Sequence, residues 1–270
     1  VSLSTNNLGI GYGEQMIVES LNLHIPKGKV TTMIGPNGCG KSTILKTMAR
    51  IQRSRTGAVY LNGKAIHQMS TKDIAKQMAI LPQTPEAPGG LTVYELVSYG
   101  RFPHQKGMGR LSADDRRMVE WSLEVTGMLP FYDRPIEALY GGQRQRVWIA
   151  MALAQETELL LLDEPTTYLD LAHQLEILQL LEKLNKEEGR TILMVIHDLN
   201  HAARFAHHMV ALNSGAIVKE GAPHEVMTSE VLKKVFQIDA EIILDPRTGK
   251  PVCLTYDLLK KEEDQRLATG

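Results

Sequence analysis

Nine consecutive residues, Gly35-Pro36-Asn37-Gly38-Cys39-Gly40-Lys41-Ser42-Thr43, constrain this chain more than any other stretch. They follow an apolar, β-branched run from Val30 to Ile34, and they open a segment in which Ile44, Leu45 and Met48 share one face at helical spacing. Strand, glycine loop and helix in that order form the context of a P-loop. Gly35, Gly38 and Gly40 let the backbone curl tightly, so that several N–H groups point at one anion. The start of the helix adds partial positive charge. Lys41 brings a full charge to the β- and γ-phosphates, and the Ser42 hydroxyl suits Mg²⁺. An ordinary glycine turn would not account for Gly40-Lys41-Ser42. The stretch therefore predicts a nucleoside triphosphate bound with Mg²⁺, and the rest of the chain must say what is done with it.

Composition narrows the setting. At 270 residues, one large domain or two unequal lobes are expected. The hydrophobic fraction of 43% is sufficient for a packed core, and a net charge of −1 supplies no global basic field for nucleic acid or anionic lipid. No nucleic-acid partner is expected. Two cysteines, Cys39 and Cys253, make no disulfide framework and no metal-ligand spacing. No apolar run approaches the roughly 20 residues that cross a bilayer. The N-terminus lacks a basic region followed by an apolar core, so no signal peptide is expected.

The pattern along the chain is that of an α/β protein. Residues 2–34 read as strands broken by turns, with Gly9, Gly11 and Gly13 as punctuation and Tyr12 between two of them. An exposed ring there could stack on a base, or simply pack at a strand end. Ala58 to Leu61 is a short strand closed by Asn62-Gly63. Thr71 is placed to cap a helix running towards Gln77, and Ala79-Ile80-Leu81 is a strand leading to Gln83. Thr84 to Gly90 reads as a Pro/Gly-rich linker. Helical segments follow at 92–99 and 112–126, the second opening on Ser112 and Asp115 as a capping box. Residues 85–155 are thus expected to form a helical lobe inserted into the α/β core. After the lobe, Leu159 to Leu162 is a buried strand, and Leu171, Leu175, Leu178 and Leu181 form a helical stripe ended by Gly189. Thr191 to Ile196 is another buried strand. Asn213-Ser214-Gly215 turns a hairpin. A helix near 224–235 and two short strands complete a domain spanning 1–255, and 256–270 is a polar tail.

Candidate chemistry gathers where buried strands end. Asp163 and Glu164 follow four leucines, the place where α/β sheets present ligand groups. Asp163 suits the Mg²⁺ shell, and Glu164 is then free to polarise a water attacking the γ-phosphate. His197 also follows a buried strand and is placed to hydrogen-bond that phosphate. His173, His201, His207 and His208 are assigned to helix faces and solvent. Gln83, after the last strand before the helical lobe, offers an amide to Mg²⁺ and to the attacking water. Leu139-Tyr140-Gly141-Gly142-Gln143 exposes backbone N–H groups at a predicted helix start, which makes a second anion site. The lobe projects away from the core, so two chains placed head to tail, rather than one, would bring both anion sites to each triphosphate.

Taken together, Tyr12, Gly35–Thr43, Gln83, Leu139–Gln143, Leu159–Glu164, Tyr168-Leu169-Asp170 and His197 resemble the ATP-binding subunit of an ABC transporter across nearly the whole chain. The resemblance implies a P-loop NTPase core of ABC ATPase type, with an inserted helical subdomain and an antiparallel β subdomain. It implies that Tyr12 stacks on adenine, Gln83 couples to the membrane partner, Asp170 meets the other subunit, Glu164 is the catalytic base and His197 the switch. Finer wording narrows it. Tyr99-Gly100-Arg101-Phe102-Pro103-His104, Asp163-Glu164-Pro165-Thr166-Thr167-Tyr168-Leu169-Asp170 and His197-Asp198-Leu199-Asn200 resemble the importers of iron(III)–siderophores, with haem and cobalamin importers close by. In that group two ATPase copies dock on two permease subunits at the cytoplasmic face of the membrane, fed by an extracytoplasmic binding protein. The family pattern has Ser where this chain has Tyr140. Weak ATPase activity is therefore expected, unless the loop relaxes and its backbone N–H groups suffice. Two other readings stand beside transport: a soluble ABC ATPase acting on ribosomes or DNA, and a nucleotide-binding regulator without turnover. A single P-loop and the lack of heptads between it and Leu139 speak against the first.

Overall fold

The computed structural model describes residues 2–105 and 110–259. Strands β1 (Leu3–Tyr12), β2 (Gln15–Leu21), β3 (His24–Ile25) and β4 (Val30–Ile34) come first, and α1 (Lys41–Met48) follows the P-loop. Next are β5 (Thr56–Leu61), β6 (Lys64–Ala65), α2 (Thr71–Ala75) and β7 (Met78–Leu81). Helices α3 (Val93–Ser98), α4 (Ala113–Val125) and α5 (Gly141–Ala154) separate β7 from β8 (Leu159–Asp163). Then come α6 (Leu171–Glu188), β9 (Thr191–Val195), α7 (Leu199–Phe205), β10 (His208–Asn213) and β11 (Ala216–Gly221). The last elements are α8 (Pro223–Val226), α9 (Ser229–Phe236), β12 (Ile238–Leu244) and β13 (Pro251–Leu258).

The central sheet has the order β11-β10-β4-β9-β8-β7. From β10 to β7 all pairs are parallel, and β11 closes one edge antiparallel. Residues alternate strictly between its faces. Leu159, Leu161, Leu193 and Val195 join Ile44, Leu45 and Met48 of α1 and the apolar side chains of β1 on one side. Leu160, Leu162, Ile192 and Met194 join α5, α6 and α7 on the other. Covering both faces is what makes these strands continuous apolar runs, and each such side chain contributes roughly 1.5–3 kcal/mol by leaving water. A second, antiparallel sheet has the order β2-β1-β5-β6, with β3 on β1, and β12 pairs with β13.

The register decides the site. Met33 pairs with Val195, Val195 with Asp163, and Leu162 with Leu81. The carboxyl ends of β4, β9, β8 and β7 therefore stand level. Gly35 and Glu164 come next after their strands, and His197 and Gln83 follow one residue further on, after Ile196 and Pro82.

The α3–α5 segment is capped as its sequence indicates. Thr92 with Glu95 and Ser112 with Asp115 form capping boxes. Arg101, only 4% exposed, braces the lobe. Its Nε donates to Asp115 Oδ1 at 2.8 Å, and its Nη1 to Ala154 O at 2.8 Å and Glu156 Oε2 at 2.9 Å.

Some expectations need correction. Ser70, not Thr71, caps α2, its Oγ accepting Asp73 N–H at 3.1 Å, and the helix stops at Ala75. The helix expected near 224–235 is two, because Thr228 starts a fresh cap for α9. Leu171 is exposed, so the α6 stripe buries from Ile177 onward. The two closing strands are 7 and 8 residues long. The second runs to Leu258, so the hairpin crosses the boundary drawn at 255; tail residues beyond 259 lie outside the described residues. Among the described residues, no helix is long and apolar enough to cross a membrane.

Candidate functional site

The P-loop turns where β4 ends, and two of its glycines are required by geometry. A Cβ on Gly35 would sit 2.3 Å from Leu212 O. Gly40 starts α1 at φ 103°, a left-handed conformation that costs other residues strain. Asn37 and Gly38 are exposed at the loop tip, while Cys39 is buried and its thiol is pushed up by that burial. Its side chain is packed inward. Pro36 and Gly35 turn their carbonyls to the buried Lys41, whose Nζ donates to both, at 2.9 and 2.8 Å. A phosphate entering the loop competes with those two carbonyls for the ammonium. Ser42 and Thr43 stand half-buried in the first turn of α1.

Ser42 Oγ donates to Asp163 Oδ1 at 2.7 Å. The other carboxylate oxygen, Asp163 Oδ2, is buried without a hydrogen-bond partner. A hydroxyl and a carboxylate with an unused buried oxygen are hard oxygen donors, and they fit Mg²⁺. Burial pushes the Asp163 carboxyl up from its ordinary 3.8; the Ser42 hydrogen bond and Lys46 oppose the rise, and neighbouring Glu164 adds to it. An acid raised on folding destabilises the fold as pH climbs past its ordinary value, and the whole cost is present above the raised one. Asp163→Asn removes that cost. It is expected to raise the melting midpoint of the chain at neutral pH without nucleotide by about 2–4 °C, while Mg²⁺-dependent ATP binding is lost. A midpoint below that of the wild type would refute this account of Asp163.

Glu164 is the hub. It is a non-glycine residue at φ 53°, and Tyr168 at φ 66° closes the same turn. Such backbone costs of order 1–3 kcal/mol and persists only where surroundings hold it. Here three groups converge on the carboxylate. His197 Nε2 lies 2.6 Å from Oε1. Gln83 Nε2 donates to Oε2 at 2.6 Å, and Thr167 Oγ1 donates to Oε2 at 3.0 Å. Gln83, the third suggested metal ligand, thus spends an amide N–H on Glu164, which leaves its carbonyl oxygen as the atom available to a cation.

The remaining predicted residues lie elsewhere. Tyr12 ends β1, more than half exposed, and its hydroxyl donates to Gln52 Oε1 at 2.6 Å. Tyr140 is the N-cap of α5 and Gly141, Gly142 and Gln143 are its first turn. Asp170 caps α6, its Oδ1 accepting from His173 N at 2.9 Å and lying 2.7 Å from His173 Nδ1; these contacts hold its carboxyl below the usual range. The His173 ring lies against Gly142, where a Cβ would come within 2.7 Å of it. The fold therefore brings together two groups, one of Lys41, Ser42, Gln83, Asp163, Glu164 and His197, the other of Tyr140–Gln143 and Asp170. Among the described residues no hydrogen bond joins them.

Residues 18–167 match the family described as ABC transporter. The chain belongs to the ABC transporter ATPase family. This ABC ATPase is 77% identical over 263 residues, 97% of its length and 98% of the relative's, to the iron(3+)-hydroxamate import ATP-binding protein FhuC of Bacillus subtilis strain 168. Its fold matches that of a protein described as a metal-chelate type ABC transporter facing inward, with a TM-score of 0.81, 28% identity and coverage of 96% and 97% of the two chains. It also matches a dimeric bacterial ABC transporter cassette, with a TM-score of 0.72, 31% identity and coverage of 82% and 98%.

Some contributors carry no local signal in the ABC ATPase sequence. Thr167 could have been found as a hydroxyl three residues after Glu164. Gln52 and Tyr12 are 40 residues apart, and nothing in either neighbourhood announces the pair. The assignment of the other histidines to helix faces and solvent holds for His173 and His201, which lie on helices, and for the exposed His207, but fails for His208. His208 sits half-buried in β10, His201 is 9% exposed, and His207 Nδ1 accepts Val30 N–H at 3.1 Å at the start of the P-loop strand.

Proposed function

We propose that the chain is the ATP-hydrolysing motor of an importer for iron(III)–siderophore complexes of the hydroxamate class, working at the cytoplasmic face of the membrane as a peripheral subunit. The observation that carries the enzymatic part is the Glu164 carboxylate held by His197 and Gln83 beside the P-loop. The cargo assignment is supported by the 77% identity to a protein named for iron(3+)-hydroxamate import.

In this reading Tyr12 stacks on adenine, steadied by Gln52. Residues Gly35 to Thr43 wrap the phosphates, with Lys41 moving from its loop carbonyls to the β- and γ-oxygens. Ser42, Asp163 and Gln83 would hold Mg²⁺, which supplies charge neutralisation across the β- and γ-phosphates. Glu164 accepts a proton from the attacking water, while His197 holds both Glu164 and the γ-phosphate side. The second wall of the site comes from Tyr140 to Gln143 of another copy, placed head to tail, with Asp170 at the meeting of the chains. A structural relative described as a dimeric cassette supports the pairing of two copies. Two permease subunits would dock near Gln83 and the start of the helical lobe at 85–155, and an extracytoplasmic binding protein would load them. Rotation of the lobe, sensed through the Gln83–Glu164 contact, would transmit closure.

The test is complementation. In a strain lacking its own ATPase subunit, the wild-type chain is expected to restore radioiron uptake from iron(III) hydroxamates. Lys41→Ala is expected to reduce that uptake by about 10- to 100-fold, the scale of one lost charge-assisted contact. Restoration with catecholate complexes or cobalamin alone would overturn the cargo assignment. No restoration by an ATPase-active wild type would overturn import.

A further inference from the structure

In the motif His197-Asp198-Leu199-Asn200, the side chain of the last residue is hydrogen-bonded to β13 and not to the groups at the strand ends. Asn200 stands in the first turn of α7, and its amide pairs reciprocally with one backbone unit of β13. Its Nδ2 donates to Cys253 O at 3.2 Å and its Oδ1 accepts Cys253 N–H at 2.8 Å. At the other end of α7, Lys250 Nζ donates to Ala206 O at 2.8 Å. The β12–β13 hairpin therefore grips the helix at both ends. Apolar contact fills the space between, because Ala240 and Cys253 share one buried cluster with Ala202, Ala203 and Phe205.

The same helix is tied to the P-loop strand. Thr32 Oγ1 donates to Ala202 O at 3.2 Å, and His207, just past the helix, accepts Val30 N–H through Nδ1 at 3.1 Å. A helix of 7 residues is too short to hold itself in place, and its position is set by what packs on it. Its N-cap, Asp198, is the residue next to His197, and Asp198 Oδ1 accepts His201 N–H at 2.7 Å. Asp198 thus joins α7 directly to His197, whose Nε2 lies 2.6 Å from Glu164 Oε1.

We propose that Asn200 is a positioning residue through which the C-terminal hairpin sets the placement of His197 against Glu164. The proposal rests on the reading of His197 as the switch, and its test separates the two. Steady-state ATPase activity is measured on the full chain for Asn200→Ala, His197→Ala and the double variant. Asn200→Ala is expected to lower kcat about 10-fold with KM for ATP within about twofold of wild type, because the P-loop and Tyr12 are untouched. The double variant is expected to be no slower than His197→Ala alone, since one group cannot be misplaced after its removal. The proposal is overturned if His197→Ala cuts turnover while Asn200→Ala leaves kcat unchanged, if KM rises in place of a fall in kcat, or if the two losses multiply. If His197→Ala leaves turnover intact, the switch reading itself fails and the latch falls with it. Should the alanine variant not fold, Asn200→Asp replaces it and is judged by the same outcomes. It keeps the shape and the acceptor but loses the donor to Cys253 O.

Discussion

Glu164→Gln is expected to cut ATP turnover by about 10²- to 10⁴-fold, the range for loss of a positioned general base, and to leave ATP binding within about threefold. The substitution is chosen for its shape. Glutamine keeps the volume of the side chain in its strained turn, and its amide oxygen still accepts from Gln83 or Thr167 as the carboxylate oxygen does. What it cannot do is take a proton from water. If closure of two chains precedes hydrolysis, the slowed variant must accumulate in the closed form. With Mg²⁺ and ATP it is expected to run as a dimer in size exclusion with light scattering, and without nucleotide as a single chain. Crosslinks in that dimer should join the P-loop of one copy to Gly141 and Gly142 of the other. A variant that stays single with ATP, or pairs back to back, would show that the second anion site of this chain does not serve a shared pocket. Unchanged turnover would remove Glu164 from the chemistry.

The part of the site at the strand ends was open to inspection in the sequence because each member follows a continuous apolar run. A strand buried on both faces has no polar alternation, so Leu159–Leu162 and Thr191–Ile196 stand out, and the first polar residues after them must emerge at one edge of the sheet. The parallel register then makes their meeting inevitable: Val195 pairs with Asp163 and Met33 with Val195. Capping also has a short-range pattern, which is why Ser112 with Asp115 was legible. At Thr71 the same logic slipped by one residue, because Ser70 is an equally good cap and stands first.

What stayed hidden depends on contacts with no local signature. The partner of Asn200 is 53 residues away and that of His207 is 177 residues away. Both are side chains that satisfy backbone groups of another element, a demand created only once the elements are packed. His207 is exposed, as a surface histidine should be, but periodicity cannot see that its Nδ1 is the acceptor for Val30 N–H. Gln52 likewise carries no local sign of its contact with the Tyr12 hydroxyl, 40 residues away. The sequence could rank residues by chemistry at strand ends, but not by which helix a hairpin must hold.

Tyr140→Ser is expected to raise ATP turnover by about 10- to 100-fold, the worth of a restored hydrogen bond to a charged phosphate, and also to stabilise the single chain. The stability argument comes from within the molecule. Tyr140 has ordinary N-cap backbone, φ −74° and ψ 163°, but its side chain makes no cap hydrogen bond; its backbone N–H donates weakly to Gln143 Oε1 at 3.3 Å. At the equivalent position of α4, Ser112 Oγ accepts Asp115 N–H at 3.1 Å, and in α3 Thr92 Oγ1 accepts Glu95 N–H at 3.2 Å. Serine at 140 can do the same for Gln143 N–H, worth about 1 kcal/mol and about 2–4 °C in melting midpoint for a chain of this size. The turnover argument concerns the surface. The Tyr140 ring is 79% exposed beside Gly141 and Gly142, so it would add bulk to a closure of two chains at that surface. A hydroxyl at the end of a flat arm also stands farther from the backbone N–H groups than a serine hydroxyl does. A variant that melts higher but turns over within about twofold of wild type would show that the ring swings clear and the backbone N–H groups suffice. Tyr140→Ala separates the two causes that remain. If bulk is what slows this chain, alanine speeds it without the cap; if the missing serine hydroxyl is what matters, alanine stays as slow as tyrosine and only serine recovers.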